Sequence, residues 1–266
     1  MHSTFSAQLA GVLLLASSWS FGQDSLSNIQ ASAAMTQIQH NRDNLEVLSG
    51  ILPIVKCPFC PSQYERILLT QLRDRTTTTS EFRDAAEKLG SLLVNKVIDC
   101  IHNVSRKDIQ TPLTSFEGEA FATNIELLSV MRSGDALIDT FISHFPEANI
   151  SKVLIQRDEE TAAPKFMYKK LSSTIASGNP VIITEPMIAT GGTLDMTISL
   201  LKEIGVREQN IIIASLCTAP EGLLRLNAKY PNIQVVMTVM DDNLNEKKYI
   251  VPGLGDFGDR FFGTCK

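Results

Sequence analysis

Between Ile125 and Val239 short apolar runs alternate with stretches of helical periodicity, and this alternation constrains the fold more than any other feature. The apolar runs are Ile125 to Met131, Lys152 to Gln156, Val181 to Thr184, Ile211 to Leu216 and Ile233 to Val239. Helical patterns fall at Ala136 to Phe145, Leu194 to Ile204 and Pro220 to Lys229. Upstream, Phe82, Ala85, Ala86, Leu89, Leu92, Leu93, Val97 and Ile101 recur at helical spacing, which predicts a long amphipathic helix from about Ser80. Strands separated by helices at this pitch need right-handed crossovers. The expectation is an α/β domain: a mostly parallel sheet flanked by helices, with ligands bound beyond the carboxyl ends of its strands.

The chain has 266 residues, and its 24 basic and 29 acidic side chains give a net charge of −5. That balance argues against binding nucleic acid by bulk charge, so any phosphate must be gripped locally. The apolar run from Leu9 to Trp19 is too short to span a bilayer. Small residues at Ser17, Ser18 and Gly22 suit a signal-peptide cleavage site, but no Lys or Arg precedes them. Secretion and an apolar extension, with Met35 as an alternative start, both stand at this point. Residues 24 to 52 are polar, so residues 1–60 read as an N-terminal extension and 61–266 as the folded domain. Of five cysteines only Cys57 and Cys60 share a motif, CPFC. With no second pair and four scattered histidines, chance or packing explains it better than zinc or redox chemistry. Asn103 and Asn149 head glycosylation sequons that matter only in a secreted chain.

The sharpest local feature runs from Val181 to Gly205. An apolar strand ends at Glu185, the loop Pro186-Met187-Ile188-Ala189-Thr190-Gly191-Gly192 follows, and Thr193 is placed to cap the next helix. Adjacent glycines let several N–H groups converge on one anion, and the helix N-terminus adds to the attraction. The loop lacks the Gly-Lys-Ser/Thr end of a P-loop and the dinucleotide G-x-G-x-x-G. A carboxylate beside a phosphate nest suits a ribose phosphate, with the loop on the phosphate and Glu185 on the sugar hydroxyls.

EPMIATGGT resembles the phosphoribosyl-pyrophosphate (PRPP) loop of the uracil phosphoribosyltransferase family, usually DPMLATGGS. The likeness continues in order through VMRSGDALID, KVLIQRDEETAAPKFMYKKL, TAPEG and the tail YIVPGLGDFGDRFFGT. It covers about Leu69 to Thr264, and IQRDEET and GDFGDR are most similar to fungal and protist members. The resemblance implies the type I phosphoribosyltransferase fold with a β flap or hood. It implies transfer of phosphoribose from PRPP to N1 of uracil, giving UMP and pyrophosphate in pyrimidine salvage. The PRPP residues would be Arg132, Ser133, Gly134, Arg157, Glu185, Pro186, Met187, Ile188, Ala189, Thr190, Gly191, Gly192, Thr193 and Asp256. The backbone of Ile250, Gly255 and Phe257 would read uracil beside Asp256, with Arg132 and Asp256 as the catalytic pair. Lys165, Tyr168 and Lys170 would lie in the flap.

Mg²⁺ would arrive with PRPP, without a protein cage, and GTP is a candidate activator. The partners implied are uracil, PRPP and further copies of the chain as a dimer or tetramer, with neither nucleic acid nor membrane. Because PRPP is intracellular, a cytoplasmic location is expected over secretion. Three positions depart from the family pattern: Glu185 replaces the usual Asp, Thr79 stands where relatives often have Arg, and Asn243 replaces a usual Gly. They motivate the alternative of a weak or inactive paralogue that binds PRPP or UMP as a sensor.

Overall fold

Two helix starts show how locally this sequence sets its elements. In the computed structural model, which describes residues 32–38, 50–56, 61–102, 104–157 and 164–264, helix α1 (Gln63–Arg73) opens on a capping box. The Ser62 hydroxyl accepts from the Glu65 amide and the Glu65 carboxylate accepts from the Ser62 amide. Helix α2 (Thr79–Asp99) opens the same way with Thr78 and Glu81. Its stripe of Phe82, Ala85, Ala86, Leu89, Leu93 and Val97 is buried, as the periodicity predicts. Buried Glu65 meets Lys96 at 2.5 Å and so ties α1 to α2. Burial pushes the Glu65 pKa up, but the bonds to Lys96 and Ser62 outweigh it and the net direction is down.

An antiparallel hairpin of β1 (Val104–Gln110) and β2 (Ser115–Phe121) follows, exposed along almost its whole length. The α/β body then runs β3 (Glu126–Met131), α3 (Asp135–His144), β4 (Asn149–Arg157), β5 (Pro164–Lys170), β6 (Val181–Thr184) and β7 (Met187–Ile188). It continues with α4 (Gly192–Glu203), β8 (Ile211–Thr218), α5 (Pro220–Lys229) and β9 (Gln234–Met240). A two-stranded ribbon of β10 (Asn243–Leu244) and β11 (Ile250–Val251) leads to helix α6 (Phe257–Phe262).

The main sheet has seven strands. Its order is β5-β4-β3-β6-β8, with β9 on the far side of β8 and β7 extending the β6 side beyond Glu185. Every pairing is parallel except β4–β5. Ser129, Thr184, Ala214 and Val236 stand side by side across β3, β6, β8 and β9, so the carboxyl ends of these strands reach the same edge. Strand β8 is buried at all eight positions, which is why it reads as one apolar run without alternation.

The structure corrects two expectations. Residues 50–56, read as part of the extension, are packed: Ile51, Leu52, Ile54 and Val55 are buried. Val55 forms a parallel bridge with Val235, and the Val235 amide donates to the Ile54 carbonyl at 2.7 Å. Four apolar residues in five cover the open edge and face of β9, and the polar composition upstream hid that run. Thr193, expected as the helix cap, lies inside the first turn of α4. Gly191 is the N-cap, because its φ of 72° turns the chain two residues earlier. Residues 1–31, Cys57, Cys60, Asn103 and the acidic run 158–161 lie outside the described residues.

If residues 50–56 belong to the core, Leu52→Ala lowers unfolding free energy by about 2–5 kcal/mol, as for any buried leucine. Urea denaturation measures this, and a loss within about 0.5 kcal/mol would return the segment to the extension.

Candidate active site

Three loops leave the carboxyl edge of the sheet side by side. The first follows β3. The Met131–Arg132 peptide is cis, and Ser133 and Gly134 turn directly into α3. A Cβ on Gly134 would sit 2.3 Å from the Thr184 carbonyl oxygen and 2.7 Å from the Val130 backbone, so no side chain fits there. The Thr184 hydroxyl donates to the Gly134 carbonyl at 3.1 Å and holds this loop against the next. Arg132 turns outward: its guanidinium pairs with Asp259 at 2.9 Å, donates to the Thr264 hydroxyl at 3.4 Å and lies over the Phe262 ring.

The second loop follows β6. Glu185 is nearly fully buried, and its Oε1 accepts from the Ser133 hydroxyl at 3.0 Å. Burial raises its pKa to about 7, with the Ser133 hydroxyl and the Met187 amide pulling in the opposite direction. The carbonyl of Pro186 accepts from Leu216 and Cys217, each at 3.0 Å, which keeps the loop on the sheet. Beyond it the backbone turns through Thr190, Gly191 and Gly192 into α4. A cavity of about 270 Å³ opens here, lined by Glu185, Met187, Ile188, Ala189, Thr190, Gly191, Gly192 and Thr193. Ser133 and Ile155 close its other side. Among the described residues that line it, Glu185 is the one ionisable side chain.

The third loop is the glycine-rich tail, and it rests on a buried carboxylate. Asp241, just beyond β9, takes both guanidinium nitrogens of Arg73, at 2.5 and 2.8 Å. It also accepts from the Gly253 amide at 2.8 Å and the Cys217 thiol at 3.1 Å. Arg73 in turn donates to the Gly253 carbonyl at 2.7 Å. Burial pushes the Asp241 pKa up, but these donors, Arg73 above all, hold it below the usual carboxylate value. The same thiol is driven well above its ordinary pKa by burial and by Asp241, so Cys217 is a neutral donor. Arg260 fastens the far side of the tail through the carbonyls of Leu72, Leu254 and Asp74. Asp256 caps α6 by accepting from the Asp259 amide at 2.8 Å. A second cavity of about 220 Å³ is lined by Ile250, Gly255, Asp256 and Phe257, with Lys248 and Tyr249 at its rim. Both cavities share Ser133, Met187 and Ala189, so they adjoin.

The structure therefore brings Ser133, Glu185, the loop 187–193, Ile250, Gly255, Asp256 and Phe257 to two neighbouring cavities. Gly134 and Pro186 shape the loops from behind. Arg132 stands at the rim, and Arg157 ends β4 with its side chain outside the described residues. Sequence reasoning missed Arg73 as the partner of Asp241, which lies 168 positions away. No spacing rule connects them. The available signal was an aspartate directly after an apolar strand, where a buried charge needs a partner.

Residues 61–264 match the family model for uracil phosphoribosyltransferase. The uracil phosphoribosyltransferase of Dictyostelium discoideum is 40% identical over 200 residues, covering 74% of this chain and 91% of that one. Uracil phosphoribosyltransferase 1 of Schizosaccharomyces pombe is 37% identical over 197 residues, with 74% and 90% covered. The chain belongs to the uracil phosphoribosyltransferase family. Among solved structures, the AQ2163 protein of Aquifex aeolicus superposes with a TM-score of 0.68 at 27% identity, covering 78% of this chain and 97% of that one. The parallel sheet, its flanking helices and the loop edge are the type I phosphoribosyltransferase fold that the resemblance implies.

The Asp241 network predicts a stability effect with a pH signature. Asp241→Ala leaves the half-buried Arg73 fork unpaired and costs about 3–5 kcal/mol at neutral pH. The folded pKa is lowered, so this stability is present above the unfolded value near 4 and is lost as pH falls through the folded value. Denaturant melts at pH 7 and pH 3 should show the gap between wild type and Asp241→Asn narrowing at the acid end.

Proposed function

We propose that the protein transfers phosphoribose from PRPP to N1 of uracil, releasing pyrophosphate. Family membership supports this reading, and one observation of the structure carries it. A glycine-rich turn into α4 whose cavity is lined by no basic side chain among the described residues, and a glycine-rich tail loop, open side by side around Ser133, Met187 and Ala189. That adjacency is what a reaction joining a base to a ribose carbon requires.

In this reading the backbone N–H groups from Thr190 to Thr193 take the 5-phosphate of PRPP, helped by the N-terminus of α4. Glu185 accepts from the ribose hydroxyls. Ser133 offers a main-chain donor to the diphosphate, with Gly134 held beneath it by its own bond to the Val130 carbonyl, while Arg132 exchanges Asp259 for the diphosphate, one anion for another. Arg157 is a second diphosphate contact by resemblance. The backbone of Ile250, Gly255 and Phe257 pairs with the two carbonyls and the N–H of uracil. As N1 bonds to the ribose carbon, the bond to the pyrophosphate oxygen breaks and the N1 proton leaves. Positive charge grows on the sugar while the departing diphosphate gathers negative charge, so fixed dipoles and Arg132 act on the transition state.

Mg²⁺ fits this site as an ion carried on PRPP oxygens. Asp256, exposed at the cavity, is a hard oxygen donor of the type Mg²⁺ prefers, and the ion neutralises diphosphate charge when bound. We place the catalytic domain at residues 61–266 with 50–56 packed against it, and the protein in the cytoplasm. The Asn149 amide donates to Glu126 and Thr174, each at 3.0 Å, an arrangement that suits an unglycosylated chain. Among the described residues no helix is long and apolar enough to cross a membrane. GTP activation and a dimeric or tetrameric state belong to the same proposal; turnover with and without GTP and the sedimentation coefficient test them.

Purified protein given uracil, PRPP and Mg²⁺ should form UMP. Arg132→Ala should lower kcat/KM by about 10²–10³, the scale of losing one transition-state charge contact, and Asp256→Asn should also lower it. Cytosine should be rejected by about 10⁴-fold, because its amino group reverses the hydrogen-bond demand of the base loop. No UMP across a range of Mg²⁺ concentrations overturns the proposal.

A further inference from the structure

The contact between Ser133 and Glu185 joins two loops that have separate tasks in the proposed reaction. Ser133 belongs to the loop after β3 and Glu185 to the loop after β6, and both line the 270 Å³ cavity. The glutamate is one methylene longer than the aspartate usual in the family. Its carboxylate spends that reach on the Ser133 hydroxyl at 3.0 Å. We propose that Ser133 is a positioning residue that holds the Glu185 carboxylate against the diphosphate loop, so that PRPP binds by replacing the serine hydroxyl with a ribose hydroxyl. The inference rests on the PRPP reading of the cavity and adds a residue-specific coupling to it.

The exchange is chemically balanced, since one O–H donor to the carboxylate replaces another and no proton changes owner. It works on the ionised carboxylate, which accepts from both hydroxyls. A protonated Glu185 has one oxygen committed as a donor. Glu185 has a pKa of about 7, so it changes form in the range where enzymes are assayed. The Ser133 hydroxyl lowers that value by favouring the charged form.

Charged groups on the surrounding elements are engaged elsewhere. Arg132 is paired with Asp259, and Asp135 at the start of α3 is held by Ser129 and by Lys152 of β4. Asp195 in the first turn of α4 binds Arg225 and Lys229 of α5, and Asp256 caps α6. The pH response of the cavity therefore tracks Glu185 and its hydroxyl donor.

The test is KM for PRPP against pH, at saturating uracil, for wild type, Ser133→Ala, Glu185→Asp and the double variant, with Ser133→Thr as the rescue. PRPP's own ionisation is common to all five and cancels in the comparison. Wild type should show KM rising several-fold as pH falls below about 7. Ser133→Ala should move that limb upward by about half to one pH unit, the size of one lost hydrogen bond, and Ser133→Thr should restore it. In the Glu185→Asp background the shorter carboxylate does not reach, so Ser133→Ala should change KM less than twofold at any pH. An unmoved limb in Ser133→Ala, or an equal shift in both backgrounds, overturns the inference. Calorimetric titration with PRPP gives the same comparison without turnover. PRPP binding without UMP formation would sink the transferase reading while leaving this one to be decided by the binding limb. Absence of PRPP binding would sink both.

Discussion

A buried carboxylate at the end of a strand holds the business edge of this protein together. Asp241 is surrounded by Arg73, Cys217 and the Gly253 amide, which bring together α1, β8 and the tail. Without those donors its charge would carry a large desolvation penalty, so the four groups stand or fall as a unit. Arg260 repeats the principle on the outer side by ordering three carbonyls from α1, its following turn and the tail. Gly253 has a φ of 59°, and a Cβ there would meet the Ile250 carbonyl at 2.1 Å, so the loop follows a path only glycine permits. The tail loop is thus held on one path by its own packing, which spares the ordering cost that a loose loop would carry into binding.

In the proposed reaction a different solution serves the phosphate side. A chain of net charge −5 has no bulk attraction for a multiply charged anion, and the nest is lined by no basic side chain among its described residues. Attraction must come from oriented N–H groups and a helix N-terminus, which need fixed geometry more than charge. The close packing of Gly222 against the turn before α4, where a Cβ would sit 2.4 Å from the Ala189 carbonyl oxygen, supplies that geometry. The ionisable group within the cavity is an acid, Glu185, whose carboxylate is taken up by the Ser133 hydroxyl. Arg132 waits at the rim on Asp259, an exposed pair with little net energy of its own. In the proposed reaction a pair that weak is exchanged for a diphosphate at small cost.

The sheet was legible because its strands are buried on both faces and carry unbroken apolar runs. Val181 to Thr184 and Pro220 to Lys229 are observed with the bounds read from the sequence. The turn into α4 was legible because paired glycines give the chain the positive φ that enters a helix abruptly. The hairpin β1–β2 was not, since all but a few of its side chains face solvent and no burial imposes alternation on them. Residues 50–56 were hidden for the opposite reason: four apolar residues form too short a run to stand out against a polar stretch. The Arg73–Asp241 pair was out of reach because it depends on how α1 docks, which no local pattern encodes.

The three departures from the family pattern weigh differently once their surroundings are known. Asn243 begins β10 and pairs with Val251. Among the described residues Lys248 is the non-glycine with positive φ, so Asn243 sits in ordinary backbone and a glycine there is dispensable. Thr79 is the first residue of α2 and lies against Gly263 at the end of the tail. An arginine is absent at that point, yet Arg83 one turn further along α2 donates to the Phe261 carbonyl at 2.7 Å, so the tail keeps a cationic partner from this helix. Glu185 differs from both, because its change falls inside the cavity and alters what the carboxylate touches. Two departures are absorbed by neighbouring backbone and side chains, and the third is matched by a hydroxyl at the distance its extra methylene reaches. A site losing its function would be expected to leave such a carboxylate buried and unpaired; this one keeps two donors on it.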